Sequence, residues 1–385
     1  MINYIVKGVI ASFLGIFLFS CEENVDQNNF ESEIQLTQNG QLILKLDSVT
    51  PANITSFNFQ SEKNELVLMN VYTNSLYTYD ITSGSLKNIE EFPIEGANGV
   101  GKFTNVTEFY YHGDTLLFYD RTQKMLIAVD SARRVIFRNA FGKKHTQTPY
   151  GMWSNWINPE GEGYSMTGSA VSYSFLDIPD NVDSLEFSFD PIKEELIKSY
   201  LPIPKSYTNK SWLTEVLRYY REFNFHTNEY IYSWPISDSI YVKDKNNQIT
   251  PYYMGTKNIG DIQPLPSNIS NKESIIMNVQ RKLNFYYEQG AYSYLYYDKY
   301  RKLLFRCAFS GIKEGRVDIN NPYGDTNLYD RYLIVSDSAY NKIGEFNLDD
   351  YLPNVIVIYS EGLLLLRKVE DEDYLVFDRF LIEKL

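Results

Sequence analysis

Across 385 residues the chain has only two cysteines, Cys21 and Cys307, and three histidines, His112, His145 and His226. Two thiols this far apart do not make a disulfide framework. The histidines are widely separated and no His/Cys/Glu group has ligand spacing for zinc, so no metal or cofactor is expected. Basic residues are also in short supply: 36 lysines and arginines face 49 acids, for a net charge of −13. That deficit excludes a phosphate-binding surface and with it non-specific nucleic-acid binding. No G-x-S-x-G elbow and no sialidase-type Asp-box is present. Gly96-Ala97-Asn98-Gly99-Val100-Gly101-Lys102 has P-loop spacing, but Phe103 stands where Ser or Thr would hold magnesium, and a strand pattern follows instead of a helix. It reads as a glycine-rich crossing. The segment DINNPYGD, with Asp318, Asn320, Asn321 and Asp325, lacks the full spacing of an EF-hand loop.

The one long apolar stretch is at the start. Lys7 precedes a run from Gly8 to Phe19, too short to span a bilayer comfortably, and acids follow at Glu22, Glu23 and Asp26. Residues 1–20 therefore read as a signal peptide. The sequence Leu18-Phe19-Ser20-Cys21 resembles a bacterial lipobox, which implies lipidation at Cys21 and a membrane partner through that lipid. Residues 21–33 read as an acidic tether, leaving Cys307, in LLFRCAFS, as a buried hydrophobe on a strand. The acids beside Cys21 resemble the surface-export signal of Bacteroidota lipoproteins, so the expected location is the outer membrane, facing periplasm or cell surface.

Residues 34–385 carry a strand-and-turn grammar: short alternating runs rich in Tyr, Phe, Val, Ile and Thr, separated by Asn, Gly, Asp and Ser. Strands ending in aspartate before a tight turn recur at Asp80, Asp130, Asp190, Asp244, Asp337 and Asp378, at intervals of 50, 60, 54, 93 and 41 residues. Four-stranded propeller blades repeat every 40–50 residues or so when insertions are discounted. Each aspartate is placed at the end of a blade's third strand, where its side chain can accept from backbone amides of the next turn. The second unit then runs Val106–Tyr111, Thr115–Tyr119, Met125–Asp130 and Val135–Ala140; the first runs Ile54–Phe59, Glu65–Met69, Ser75–Asp80 and Leu86–Phe92. In the third, only the outer half is defined. Gln41–Asp47 is the natural outer strand of the last unit, which would tie both termini into one blade and leave no open sheet edge. Asn39-Gly40 favours a hairpin, so Ile34–Gln38 offers a further strand.

The lipobox, six such units and the phrase Glu95–Phe103 (EGANGVGKF) resemble the TolB-like six-bladed propeller lipoproteins of Bacteroidota. That resemblance implies an all-β, six-bladed propeller of four-stranded antiparallel blades closed by the N-terminal strand, and several of those families have no assigned activity.

Length is concentrated in the connections of one face, the fourth-to-first and second-to-third strand links. Short helices are expected there: Ser270–Glu273 forms a capping box before Ile275, Ile276, Val279 and Leu283, and Ser211 can cap a segment with Trp212, Val216 and Tyr219 or Tyr220 on one side. The same connections collect the candidate ligand-binding residues Lys143, His145, Tyr150, Trp153, Trp156, Trp212, Arg218 and Arg221. Aromatic faces beside cationic donors suit a glycan, a peptide or a protein hot spot. The expected function is thus non-enzymatic binding or scaffolding in the cell envelope; a polysaccharide lyase or glycosidase using carboxylates in the central funnel stands as the alternative.

Overall fold

The computed structural model describes residues 32–140, 166–169, 186–190, 195–198, 201–266, 285–312 and 329–385, apart from 53, 55, 122, 124, 203, 209, 211, 213–215, 218 and 369–370. Residues Ser32–Leu385 form one unit. Its strands are β1 (Ile34–Lys45), then four in succession, β2 (Phe57–Gln60), β3 (Glu65–Asn70), β4 (Ser75–Asp80) and β5 (Leu86–Glu91), which make one antiparallel sheet. A second follows from β6 (Thr107–His112), β7 (Thr115–Asp120), β8 (Met125–Val129) and β9 (Val135–Ala140). Next come β10 (Met166–Ser169), β11 (Glu186–Asp190) and β12 (Glu195–Lys198), a sheet of three. Two more four-stranded sheets contain β13 (Tyr220–Asn224), β14 (Glu229–Ser233), β15 (Ser239–Lys243) and β16 (Ile249–Tyr253), then β17 (Gly290–Asp298), β18 (Leu303–Ser310), β19 (Arg331–Ser336) and β20 (Lys342–Asn347). The last sheet contains β21 (Tyr351–Tyr359), β22 (Gly362–Arg367) and β23 (Tyr374–Lys384), with β1 on its outer edge. This is an all-β propeller whose described residues show five four-stranded blades, where six were expected, plus the three-stranded sheet.

Blade-on-blade packing explains the apolar runs. In the run Leu363–Leu366 of β22, Leu364 and Leu366 pack with Leu66, Leu68 and Tyr77 of the next blade, while Leu363 and Leu365 pack with Phe305, Leu333 and Val335 of the preceding one. Strand side chains alternate faces, so a strand buried on both sides must be apolar at every position. Cys307 lies in the same interface as Phe305, fully buried, and burial pushes its thiol well above the usual range.

The turn chemistry matches at four of the six aspartates. Asp80 Oδ1 accepts from the amides of Thr82 and Ser83, Asp130 Oδ1 from Arg134, Asp244 Oδ1 from Asn246 and Gln248, and Asp337 Oδ1 from Ala339 and Asn341. Asp190 ends β11, and the turn after it lies outside the described residues. Asp378 differs: β23 continues past it to Lys384, and its buried carboxylate accepts from Gln41, Tyr351 and Arg367 within the last blade. Nor does Asn39-Gly40 form a hairpin. β1 is one strand that pairs with β23 from Ile34 to Lys45 and bulges between Gln38 and Gln41, with Gly40 at φ +88°. A left-handed glycine lets the strand absorb the extra residues without leaving the sheet.

The helix expected after Ser211 is not formed by the described residues there, where Val216 and Leu217 make a turn; a single 3-10 turn stands upstream at Lys205–Tyr207. The segment Ser270–Leu283 lies outside the described residues. The glycine-rich crossing behaves as a crossing. Arg138 on β9 donates to the carbonyls of Gly96, Ala97 and Gly99, so the loop turns carbonyl oxygens inward to a cation and offers no amide cradle for a phosphate.

Candidate functional site: the channel between the inner strands

The innermost strands are β2, β6, β13, β17 and, in the closing blade, β21: β2 contacts β6, β13 contacts β17, and β17 contacts β21. Between these strands lies a channel of about 800 Å³ to which β2, β6, β13, β17 and β21 all contribute. It runs from Ile54 and Asn354 to the turns at Ser61–Lys63 and Gly113–Asp114. It therefore reaches the side of the first-to-second strand turns, opposite the long connections.

Register organises the wall in layers. Tyr110 pairs with Leu117, Glu222 with Ile231 and Tyr296 with Phe305, and each lies two residues before the end of its strand. Glu108 and Tyr294 occupy the layer two residues back, about 7 Å further along the strand direction. The ring of Tyr294 lies 5.2 Å from that of Tyr220 and 6.5 Å from that of Tyr296. Phe57 and Phe59 face the same space from β2.

The electrostatics follow from burying acids among rings. Burial, opposed only in part by Arg121 at 3.4 Å, pushes the Glu108 carboxyl up to about 7. Burial and then the negative charge of Glu222 raise the Tyr110 phenol; burial drives Tyr296 higher still, with Glu222 contributing. Glu222 itself is buried. Its charge is thus felt by phenols from two other blades, and the Tyr296 hydroxyl donates to the Pro353 carbonyl at 2.9 Å. At the rim, Lys299 Nζ donates to Ser61 Oγ at 2.9 Å, and a ring nitrogen of His226 lies 2.9 Å from the Lys299 carbonyl. Such a wall can stack a ligand on aromatic faces, donate from neutral phenols, and exchange a proton at Glu108 near neutral pH.

Of the expected ligand-binding residues, Lys143, His145, Tyr150, Trp153, Trp156 and Arg218 lie outside the described residues, as does Cys21. The remaining two are not on an exposed face. Trp212 is buried in a cluster with Leu201, Val216 and Trp234, its ring 5.4 Å from that of Tyr207, and its Nε1 has no hydrogen-bond partner among the described residues. Arg221 is buried too, its guanidinium 3.4 Å from Glu186 of β11, which also accepts from Lys243 at 2.9 Å and from Tyr232. Both look like surface chemistry in the sequence because they adjoin long connections; Arg221 is drawn into the interface with the sheet of β11, and Trp212 into a cluster of loop residues packed on the β13–β16 blade. Sequence reasoning passed over Glu108 and Glu222. The available signal was an acid within an aromatic inner-strand run, TEFYYH and YREFN. Asp318, Asn320, Asn321 and Asp325 lie outside the described residues, and among the described residues no three His, Cys, Asp or Glu side chains form a group able to hold a metal ion.

The sequence signature of a family described as "Domain of unknown function (DUF4221)" matches residues 32–347. The chain belongs to this DUF4221 family. Among solved structures, a DUF4221 member from Bacteroides vulgatus ATCC 8482 is similar at 19% identity, covering 92% of this chain and 99% of that one with a TM-score of 0.76. A protein of Bacteroides fragilis NCTC 9343 named "Putative exported protein" is similar at 11% identity and a TM-score of 0.52, covering 93% of this chain and 97% of the other. No curated protein matches. At these identities the structural likenesses bear on the fold, and they place this DUF4221 chain among β-propellers.

Proposed function

We propose that this DUF4221 propeller is a lipid-anchored, non-enzymatic recognition module of the bacterial cell envelope that takes its ligand into the channel between its inner strands. The observation that carries this reading is the channel: about 800 Å³, walled by rings and by two carboxylates, Glu222 buried and Glu108 half-buried, with strands of five blades contributing. Sites for small ligands are concavities of this size, largely apolar, with a few placed polar groups. The signal-peptide layout ending at Cys21 supports export and lipidation, and the name of the Bacteroides fragilis relative agrees with export. The ligand is a glycan or peptide, or a segment of an envelope protein. The three-stranded sheet β10–β12, whose middle strand ends in Asp190 as β4 ends in Asp80, is read as part of a sixth blade, in keeping with a TolB-like ring.

A glycan and peptide array probed with the purified chain tests the reading. Binding should be lost in Phe59→Ala and Tyr110→Ala and kept in Trp153→Ala and Trp156→Ala; the opposite pattern would move recognition to the long-loop face. One observation favours glycoside cleavage as a second reading. Glu108, held partly protonated near pH 7 with Glu222 one layer away, has the environment of a general acid. Product release that disappears in Glu108→Gln would establish that chemistry in place of simple binding.

A further inference from the structure

We infer that the channel takes an organic cation, a small ligand whose ammonium group is held between the carboxylates of Glu108 and Glu222 and the aromatic rings of the inner strands. This rests on the channel being the recognition site and names the chemistry it selects.

The first support is charge. Among the described lining residues, Glu62, Glu108, Asp114 and Glu222 are acids, and Lys63 is the one base. Arg121 stands against Glu108, and Lys299 against Ser61 at the rim. In a narrow space with low-dielectric walls, an excess of one sign focuses the field and concentrates ions of the opposite sign. The second is the wall itself. Tyr110, Tyr294, Tyr296, Phe57 and Phe59 all line the space, and an ammonium within about 6 Å of such rings is attracted by their faces. The third is an unmet demand. Glu108 has a cation 3.4 Å away, yet its carboxyl still sits near 7, so burial outweighs the arginine. A second cation in the channel would supply the missing counter-charge and drive off the proton. Glu222 lies in the layer shared by Tyr110 and Tyr296, so a cation held there meets a carboxylate and two rings together. The volume suits a ligand the size of a short peptide or an oligosaccharide of a few units.

Isothermal titration calorimetry on the full chain would use cadaverine and glucosamine, each beside its N-acetylated counterpart, so that alkyl-ammonium and amino-sugar sources are told apart. At least one amine should bind, with its acetylated form about tenfold weaker or worse, and Glu222→Gln should weaken the amine by about tenfold or more. In buffers of different ionisation heat at pH 7, binding should release protons from the parent protein and not from Glu108→Gln. If Glu222→Gln does not fold, Glu108→Gln provides the same affinity comparison. Equal binding of amine and acetylated forms, or binding of neither amine, overturns the inference. Neutral ligands that bind and are lost in Phe59→Ala would leave channel recognition standing while the cation inference falls; ligand binding indifferent to every channel variant would refute the recognition reading itself.

Discussion

The guanidinium of Arg306 lies 3.9 Å from the ring centroid of Tyr292, fully buried, and makes no salt bridge among the described residues. Its charge is instead spread over Ser233 Oγ and the carbonyls of Trp234, Ser237, Asp238 and Met254, all from the neighbouring blade. Burial pulls its pKa down to about 10, so it remains charged at neutral pH. Arg306 on β18 therefore fixes the loop after β14 to the next blade by donating to four carbonyls, of which those of Trp234 and Asp238 also accept from the Ser237 and Met254 amides. Arg306→Met should lower stability by about 3–5 kcal/mol, because it removes five hydrogen bonds from one cage at once. Tyr292→Phe keeps the ring and loses only the contact between its hydroxyl and the Thr256 amide, a cost of about 1 kcal/mol. Urea titration followed by tryptophan fluorescence measures both.

The last blade joins residues 337 positions apart, since Gln41 of β1 donates to Asp378 of β23. Burial alone would raise the Asp378 carboxyl, but hydrogen bonds from Arg367, Gln41 and Tyr351 outweigh it, and the group is held below its ordinary value. A carboxyl depressed in the folded state stabilises the fold above its unfolded pKa, and that contribution is lost as pH falls through the folded value. The parent protein should lose stability on acidification below about pH 4. Asp378→Asn should be less stable at pH 7 and show a smaller acid loss, measured as denaturation midpoints from pH 7 to pH 3.

Glu108 has the opposite sign. Its folded value, near 7, lies above the unfolded one, so the folded state holds the proton over a range in which the unfolded chain has released it. Its effect is to lower stability as pH rises from about 4.5 to 7. Glu108→Gln should flatten that part of the stability profile; an unchanged slope would show that the carboxyl is ionised throughout.

Trp212 gives a direct contrast between surface and core roles. Buried against Tyr207 and Trp234, it should cost about 3–5 kcal/mol of stability when changed to alanine. A Trp212→Ala protein with parent stability and lost ligand binding would instead restore it to a recognition surface.

Turn aspartates contribute locally. Asp337→Ala removes acceptors for the amides of Ala339 and Asn341 in an exposed hairpin, and should cost about 1 kcal/mol with no change in binding. Thermal unfolding measures it.

What the sequence by itself determined was whatever depends on neighbours along the chain. Alternation of strand residues, aspartate-anchored turns and the short spacing of strands set the boundaries of β6–β9 to within a residue, and the apolar strand Gln41–Asp47 with no partner nearby required the opposite terminus to receive it. Where a local reading failed, a distant partner had intervened. Asp378 has the spacing of a turn aspartate, but Gln41, Tyr351 and Arg367 make it the centre of a closing blade. Trp212 and Arg221 sit beside long connections, yet Tyr207 and Trp234 pack over the first and the neighbouring sheet buries the second. Only the tertiary structure decided the channel, because Glu108, Glu222 and Tyr296 belong to three blades far apart in sequence and meet through the pairing register and the ring. A strand's own residues dictate which of them alternate; which neighbours stand opposite is fixed by blades that pack against it from elsewhere in the chain.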